Sequence, residues 1–249
     1  MNQDTRRFLS FLPELERHEV YLAMLAVRGR YVREMLGIKL TDTILHREVI
    51  RPVEGEPFID VAERKIRRLE VLAAHAPELY RVKGHPVPAV ATGILFLMNP
   101  RHILRAGVDL IKETATRLYE VGIAENPASS LRELSKLHVR WTACLHKRPS
   151  RKVFFTFDID EKDEELLNDV LSHVDWLPHM VTETVRGYHV IVKAEEKEQR
   201  ARLYRDVVMN RELEERWKSV VEFKPDPMEP PAGTRYANKV ITIVRFSEG

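Results

Sequence analysis

Between Val153 and Lys224 the hydrophobic pattern switches repeatedly between a period of two and a helical period. This order of segments limits the available folds more than any other feature. "KVFFTFDID" alternates and is rich in aromatic and β-branched residues, the pattern of a strand. "EKDEELLNDVLSHVDW" sets Leu166, Leu167, Val170, Leu171 and Val174 on one face of a helix. "HMVTETV" and "RGYHVIVK" read as two strands, the second entered through Gly187. "AEEKEQRARLYRDVVMNRELEERWKS" is helical, "VVEFK" is a short strand, and "KVITIVRF" near the end adds another.

The order β-α-β-β-α-β is the ferredoxin-like or RRM-like plan. It makes the first and third strands central neighbours and sets the fourth beside the first. The fold class predicted is α+β, with this unit in the C-terminal half and a mainly helical region before it. In that region residues 13–36 place Leu15, Val20, Leu22, Leu25, Val27, Val32 and Leu36 at helical spacings, and Gly37 is the stop. "TDTILHREVIRP" offers Thr41 or Asp42 as a cap and ends at Pro52. A long helix is predicted over 58–80, with Asp60 as N-cap and Pro77 ending it. Another is predicted over 99–122, with Pro100 in its first turn and Gly122 at its end. "NPASS" (Asn126 to Ser130) reads as a linker, so the domains predicted are 1–128, helical, and 129–249, RRM-like. "LHVRWTACLH" alternates and suggests a strand near 137–146.

Charge does not single out a partner. Forty basic and thirty-eight acidic residues leave +2, without the excess of a basic nucleic-acid-binding domain. Charged residues make up 31% of the chain, and abundant Lys, Glu and Arg is a thermophile composition. The one cysteine, Cys144, rules out an internal disulfide or a cysteine-based zinc module and fits a reducing, cytoplasmic setting. The longest apolar stretch, Val87 to Met98, contains Pro88 and Gly93 and falls short of the ~20 residues of a membrane span. It reads as buried core.

Alternation also separates the residues of "FFTFDID". Val153, Phe155, Phe157 and Ile159 point to the helices, and Phe154, Thr156, Asp158 and Asp160 share the other face. Two carboxylates two positions apart on a strand repel unless a cation lies between them. Oxygen donors of this kind suit Mg²⁺ or Mn²⁺. His189 falls on the same face of the neighbouring strand, and Glu222 and Lys224 on that face of the fourth. Glu222 is a candidate third carboxylate, with Asp226 as its rival. In "PPAGTRYANK" the Gly233-Thr234 turn could hold phosphate through its N–H groups and the Thr234 hydroxyl, with Arg235 and Lys239 as counter-charges. The basic runs Lys147–Lys152 and Glu63–Glu70 could follow a nucleic-acid backbone.

Taken together, these pieces resemble the catalytic subunit of archaeal-eukaryotic primases and the wider primase-polymerase superfamily. "FFTFDID" looks like that family's D-x-D strand, "RGYHVIV" like the second half of its histidine element, and "PPAGT" like its later turn; the likeness covers about residues 137–249. The resemblance implies a DNA primase or polymerase-like nucleotidyltransferase with an RRM-like palm. It implies two Mg²⁺ or Mn²⁺ ions on Asp158, Asp160 and a third acid, Glu222 or Asp226. It also implies that His189 contacts the incoming triphosphate, with Arg186, Thr234, Arg235 and Lys239 as further phosphate partners. A single-stranded DNA template, nucleoside triphosphates, and a large primase subunit or helicase are the partners implied. The rival expectation is a catalytically silent nucleic-acid-binding or structural replication subunit; for RRM-style stacking it offers Phe154 alone on the open face.

Overall fold

The two longest strands lie in the half of the chain for which the sequence predicts helix. The structure is a computed structural model that describes residues 2–123 and 136–248. Its first strands are β1 (Glu19–Val27), β2 (Thr43–Ile50), the short pair β3 (Arg81–Val82) and β4 (His85–Pro86), and β5 (Thr92–His102). β1 lies between β2 and β5, antiparallel to both. This corrects the helical reading of 13–36 over Glu19–Val27 and that of 41–52 over Thr43–Ile50; the described part of residues 1–128 combines helices with a sheet.

The physical reason is burial. Every residue of "EVYLAMLAV" in β1 is buried. A strand covered on both faces reads as an unbroken apolar run, which periodicity cannot tell from a buried helix. Leu, Ala and Met favour helix, and tertiary burial overrides that preference. Helix does follow at Gly29–Leu36, where Gly37 takes a left-handed φ of 67° and donates its N–H to the Arg33 carbonyl. β2 is the edge strand and carries β-branched Thr43, Ile44, Val49 and Ile50.

The other predicted helices form with shifted limits. Pro57, not Asp60, is the N-cap of Phe58–Ala74, and Pro77 lies in a separate short helix, Ala76–Leu79. The next long helix runs Ile103–Ile123, so Asn99, Pro100 and Arg101 belong to β5 instead of opening a helix. Leu137–His146, predicted as a strand, is a helix. Trp141, Cys144 and Leu145 also satisfy helical spacing, and they pack on Val20, Leu22 and Met24 of β1. Asn126–Ser130 and the proposed boundary at 128 lie outside the described residues. Among the described residues no helix is long and apolar enough to cross a membrane.

The second half contains β6 (Phe154–Ile159), the helix Glu164–Val174, β7 (His179–Glu183) and β8 (Tyr188–Lys193). The helical stretch Lys197–Leu203 and Arg211–Trp217, with one π turn between its halves, leads to β9 (Val221–Lys224). Three short strands then return to β5's sheet: β10 (Met228–Glu229), β11 (Arg235–Tyr236) and β12 (Lys239–Val240). β13 (Thr242–Ser247) closes the second sheet, whose order is β13-β7-β8-β6-β9 with every pair antiparallel. The C-terminal segment therefore contributes strands to both sheets.

Alternation along β6 divides two cores. Phe155, Phe157 and Ile159 pack under the helices with Leu167, Val170 and Trp217. Phe154 joins a different cluster, with Phe8 and Phe11 of the N-terminal helix, Tyr21 of β1 and Phe96 of β5. Val153 joins it too, against its predicted place under the helices, because it precedes β6 and does not follow the strand's parity. Phe154 is therefore fully buried, its ring centroid 5.4 Å from that of Phe11, and is not the exposed aromatic that the sequence suggests. The face predicted to be open is covered by the first sheet's core as far as Thr156.

Phe154→Ala is expected to cost about 3–5 kcal/mol in urea denaturation, because the ring lies where both sheets meet. Reporters at Trp141 and Trp217 should show one shared midpoint; separate midpoints would mean that the two sheets unfold independently.

Candidate active site

The cover over β6 ends at Asp158. In register it stands opposite His189 of β8 on one side and Glu222 of β9 on the other. His189 Nε2 lies 3.1 Å from Asp158 Oδ1. Its Nδ1 contacts Glu229 Oε2, reaching across from β10 of the other sheet. Lys224 Nζ donates to Asp158 Oδ2 and lies 3.5 Å from Glu222 Oε2. The result is a row of alternating sign: Glu222, Lys224, Asp158, His189, Glu229. Glu229 is almost fully enclosed, Asp158 and His189 are largely buried, and Glu222 is open to solvent.

This row governs the protonation states. Burial opposes the charged form of Asp158, but the His189 and Lys224 contacts outweigh it and bring the carboxyl down to about 2. Burial likewise opposes the imidazolium of His189, and the charges of Glu229 and Asp158 outweigh it, raising the ring to about 10. Both ring nitrogens then donate, which suits a carboxylate at each end. Burial pulls the Lys224 ammonium down, and Asp158 more than compensates, so its pKa rises.

Gly187 lets the β7–β8 turn sit against the end of β6. A Cβ there would lie 1.8 Å from the Ile159 carbonyl oxygen and 2.8 Å from the Glu161 nitrogen, so only glycine fits. The turn is closed by Thr184 N–H donating to the Gly187 carbonyl at 2.9 Å. "RGYH" thus has a steric reason: the glycine brings the strand in, and His189 two residues on meets Asp158.

Glu222, Lys224, Asp158 and His189 line a cleft of about 600 Å³ between the two sheets. Asp158, Asp160, Arg186, His189, Glu222 and Asp226 all border it. The first sheet's side supplies Arg28, Tyr31, Asp42 and Tyr236. Arg28 pairs with Asp42 at 3.1 Å and lies over the Tyr236 ring, 5.4 Å from its centroid. Burial pushes the Tyr236 hydroxyl up to about 12, so it remains a neutral donor.

Other predicted site residues are occupied elsewhere. Asp226 accepts both terminal nitrogens of the fully buried Arg101 at 2.8 Å and Asn99 Nδ2 at 3.1 Å. Thr234 is buried, and its hydroxyl donates to the Pro231 carbonyl at 2.7 Å. Gly233, at φ 81°, donates to the Ile241 carbonyl at 2.7 Å, and a Cβ there would meet Thr5 Oγ1 at 2.3 Å. This turn is thus held by internal bonds. Arg235 borders a different cavity beside Glu70, and Lys239 donates to Glu183 and to the Thr184 carbonyl, both at 2.7 Å. Glu229, Asn99, Arg101 and Arg28 carry no sequence signal for this site, since each lies in the first half's sheet or, for Arg28, just after its strand β1.

Asp158, Asp160 and Glu222 have the oxygen chemistry that Mg²⁺ or Mn²⁺ prefers. Their arrangement does not fit the ion: both carboxylate oxygens of Asp158 already contact cationic groups. Among the described residues no three His, Cys, Asp or Glu side chains converge as a metal site.

His189 is expected to remain protonated across neutral pH. Its raised value means that its contribution to stability is complete below the unfolded value of about 6.5 and is lost as pH rises through about 10. A flat His189 ring resonance between pH 5 and 8 by NMR is the expected result; ordinary titration near 6.5 would contradict the row of charges.

Comparison with family models, with curated proteins and with solved structures finds no match for the chain.

Proposed function

We propose that the chain is a nucleotidyltransferase of the primase-polymerase kind, acting on nucleoside triphosphates along a single-stranded DNA template in the cleft between the two sheets. The observation that carries this reading is the register of β6, which sets Asp158 between His189 and Glu222 at the wall of that cleft. The strand order β7-β8-β6-β9 with its intervening helices supports an RRM-like palm as the scaffold.

Phosphoryl transfer asks little covalent chemistry of protein groups; positioning and charge dominate. In this reading Arg28 and Arg186 attract the triphosphate, the His189 imidazolium offers a fixed positive charge, and Tyr236 supplies a neutral donor. The bond formed joins a 3′-hydroxyl oxygen to the α-phosphorus, and the bond broken releases pyrophosphate. In this reading Asp160 or Glu222, both at the cleft wall, accepts the hydroxyl proton. A cytoplasmic setting and a large primase subunit or helicase as partner belong to the same reading.

One observation favours a second reading, a catalytically silent nucleic-acid-binding or structural replication subunit. Asp158 is already neutralised from within by Lys224 and His189.

The test is incubation with single-stranded DNA, labelled nucleotides and Mg²⁺ or Mn²⁺, with and without a primer. Product that falls about 100-fold or more in Asp158→Ala and Asp160→Ala is expected. No product from the native protein, with DNA binding unchanged in both variants, would favour the silent subunit. Asp226→Ala should instead lose about 3–5 kcal/mol of stability, because it leaves the Arg101 charge buried and unpaired.

A further inference from the structure

We propose that the Lys224 ammonium occupies the place a divalent cation would take at Asp158 and Glu222, so that a metal ion binds there only when Lys224 is displaced. This deepens the reading above and rests on it. Asp158 and Glu222 face each other directly across β6 and β9. Two carboxylates so placed repel unless a cation lies between them.

Here the cation comes from the chain itself. Lys224 stands opposite Thr156, two pairs further along the ladder and so on the same face, and its side chain runs along that face to Asp158. Its Nζ contacts Asp158 Oδ2 and lies 3.5 Å from Glu222 Oε2, bridging the two acids. The other oxygen of Asp158 faces His189, 3.1 Å away, so neither oxygen lacks a cationic neighbour. Lys224 is also a third exposed, on a long flexible stem at the cleft wall, so it has room to swing out. β9 is the edge strand of its sheet, so replacing Lys224 disturbs no pairing partner beyond β6.

The experiment is Mn²⁺ binding, read by the loss of the free Mn²⁺ signal in electron paramagnetic resonance at low ionic strength. The proteins compared are the native chain, Lys224→Met, Lys224→Gln, Lys224→Arg and Asp158→Asn combined with Lys224→Met, each checked for an unchanged melting profile. Lys224→Met and Lys224→Gln should bind Mn²⁺ at least tenfold tighter than the native chain. Lys224→Arg, which keeps the charge, should bind like the native chain, and the double variant should lose the gain. Equal affinity in the native chain and Lys224→Met, still dependent on Asp158, would overturn the displacement and leave the nucleotidyltransferase reading intact. No Asp158-dependent binding in any variant would overturn both.

Discussion

The fully buried guanidinium of Arg101 is the constraint on which the rest of the architecture depends. It is held by both oxygens of Asp226 and donates to the His146 carbonyl at 2.9 Å. Two residues earlier, Asn99 Oδ1 accepts the N–H groups of Val153 and Phe154 at 2.7 and 2.8 Å. Its Nδ2 donates to the Phe154 carbonyl and to Asp226, each at 3.1 Å. The end of β5 therefore grips the start of β6 and the segment just after β9 at once. A buried charge with one partner removed is costly, so this arrangement strongly favours one relative placement of the sheets. That placement forms the cleft.

Within the cleft, enclosure and sign work together. The two sheets together supply one row of alternating sign: Glu222, Lys224, Asp158 and His189 from the second, and Glu229 at its end from the first. His189 is thus a bridge between sheets as well as a positive group on the cleft wall. The same geometry that orders the row also satisfies Asp158 without an external ion. Arg28 and Arg186 border the same cleft, and its acidic side carries its own counter-charge.

Parity and period made the second half legible. Each strand and helix from Phe154 to Lys224 lies close to where alternation or helical spacing predicts it, because polar residues such as Thr156, Asp158, Thr182 and His189 interrupt one face and mark the period. The first half misled because β1 has no polar face to mark its period, and its residues are good helix formers. Leu137–His146 misled for the opposite reason, since its apolar residues fit both periods. Asp158, His189 and Glu222 could be grouped from sequence because they share one sheet. Glu229 and Arg28 could not, because the contact between sheets depends on Asn99 and Arg101, two polar residues in an otherwise apolar stretch. Asp226 shows the converse: an acid close in sequence to the site that serves the clamp instead.

The most direct measurement is a crystal structure of the protein with a non-hydrolysable nucleoside triphosphate and Mn²⁺. The account predicts the triphosphate in the cleft near Arg28, Arg186 and His189, an ion on Asp158, and Lys224 withdrawn from that carboxylate. A nucleotide bound elsewhere, or a cleft that stays empty with Lys224 still on Asp158, would contradict it.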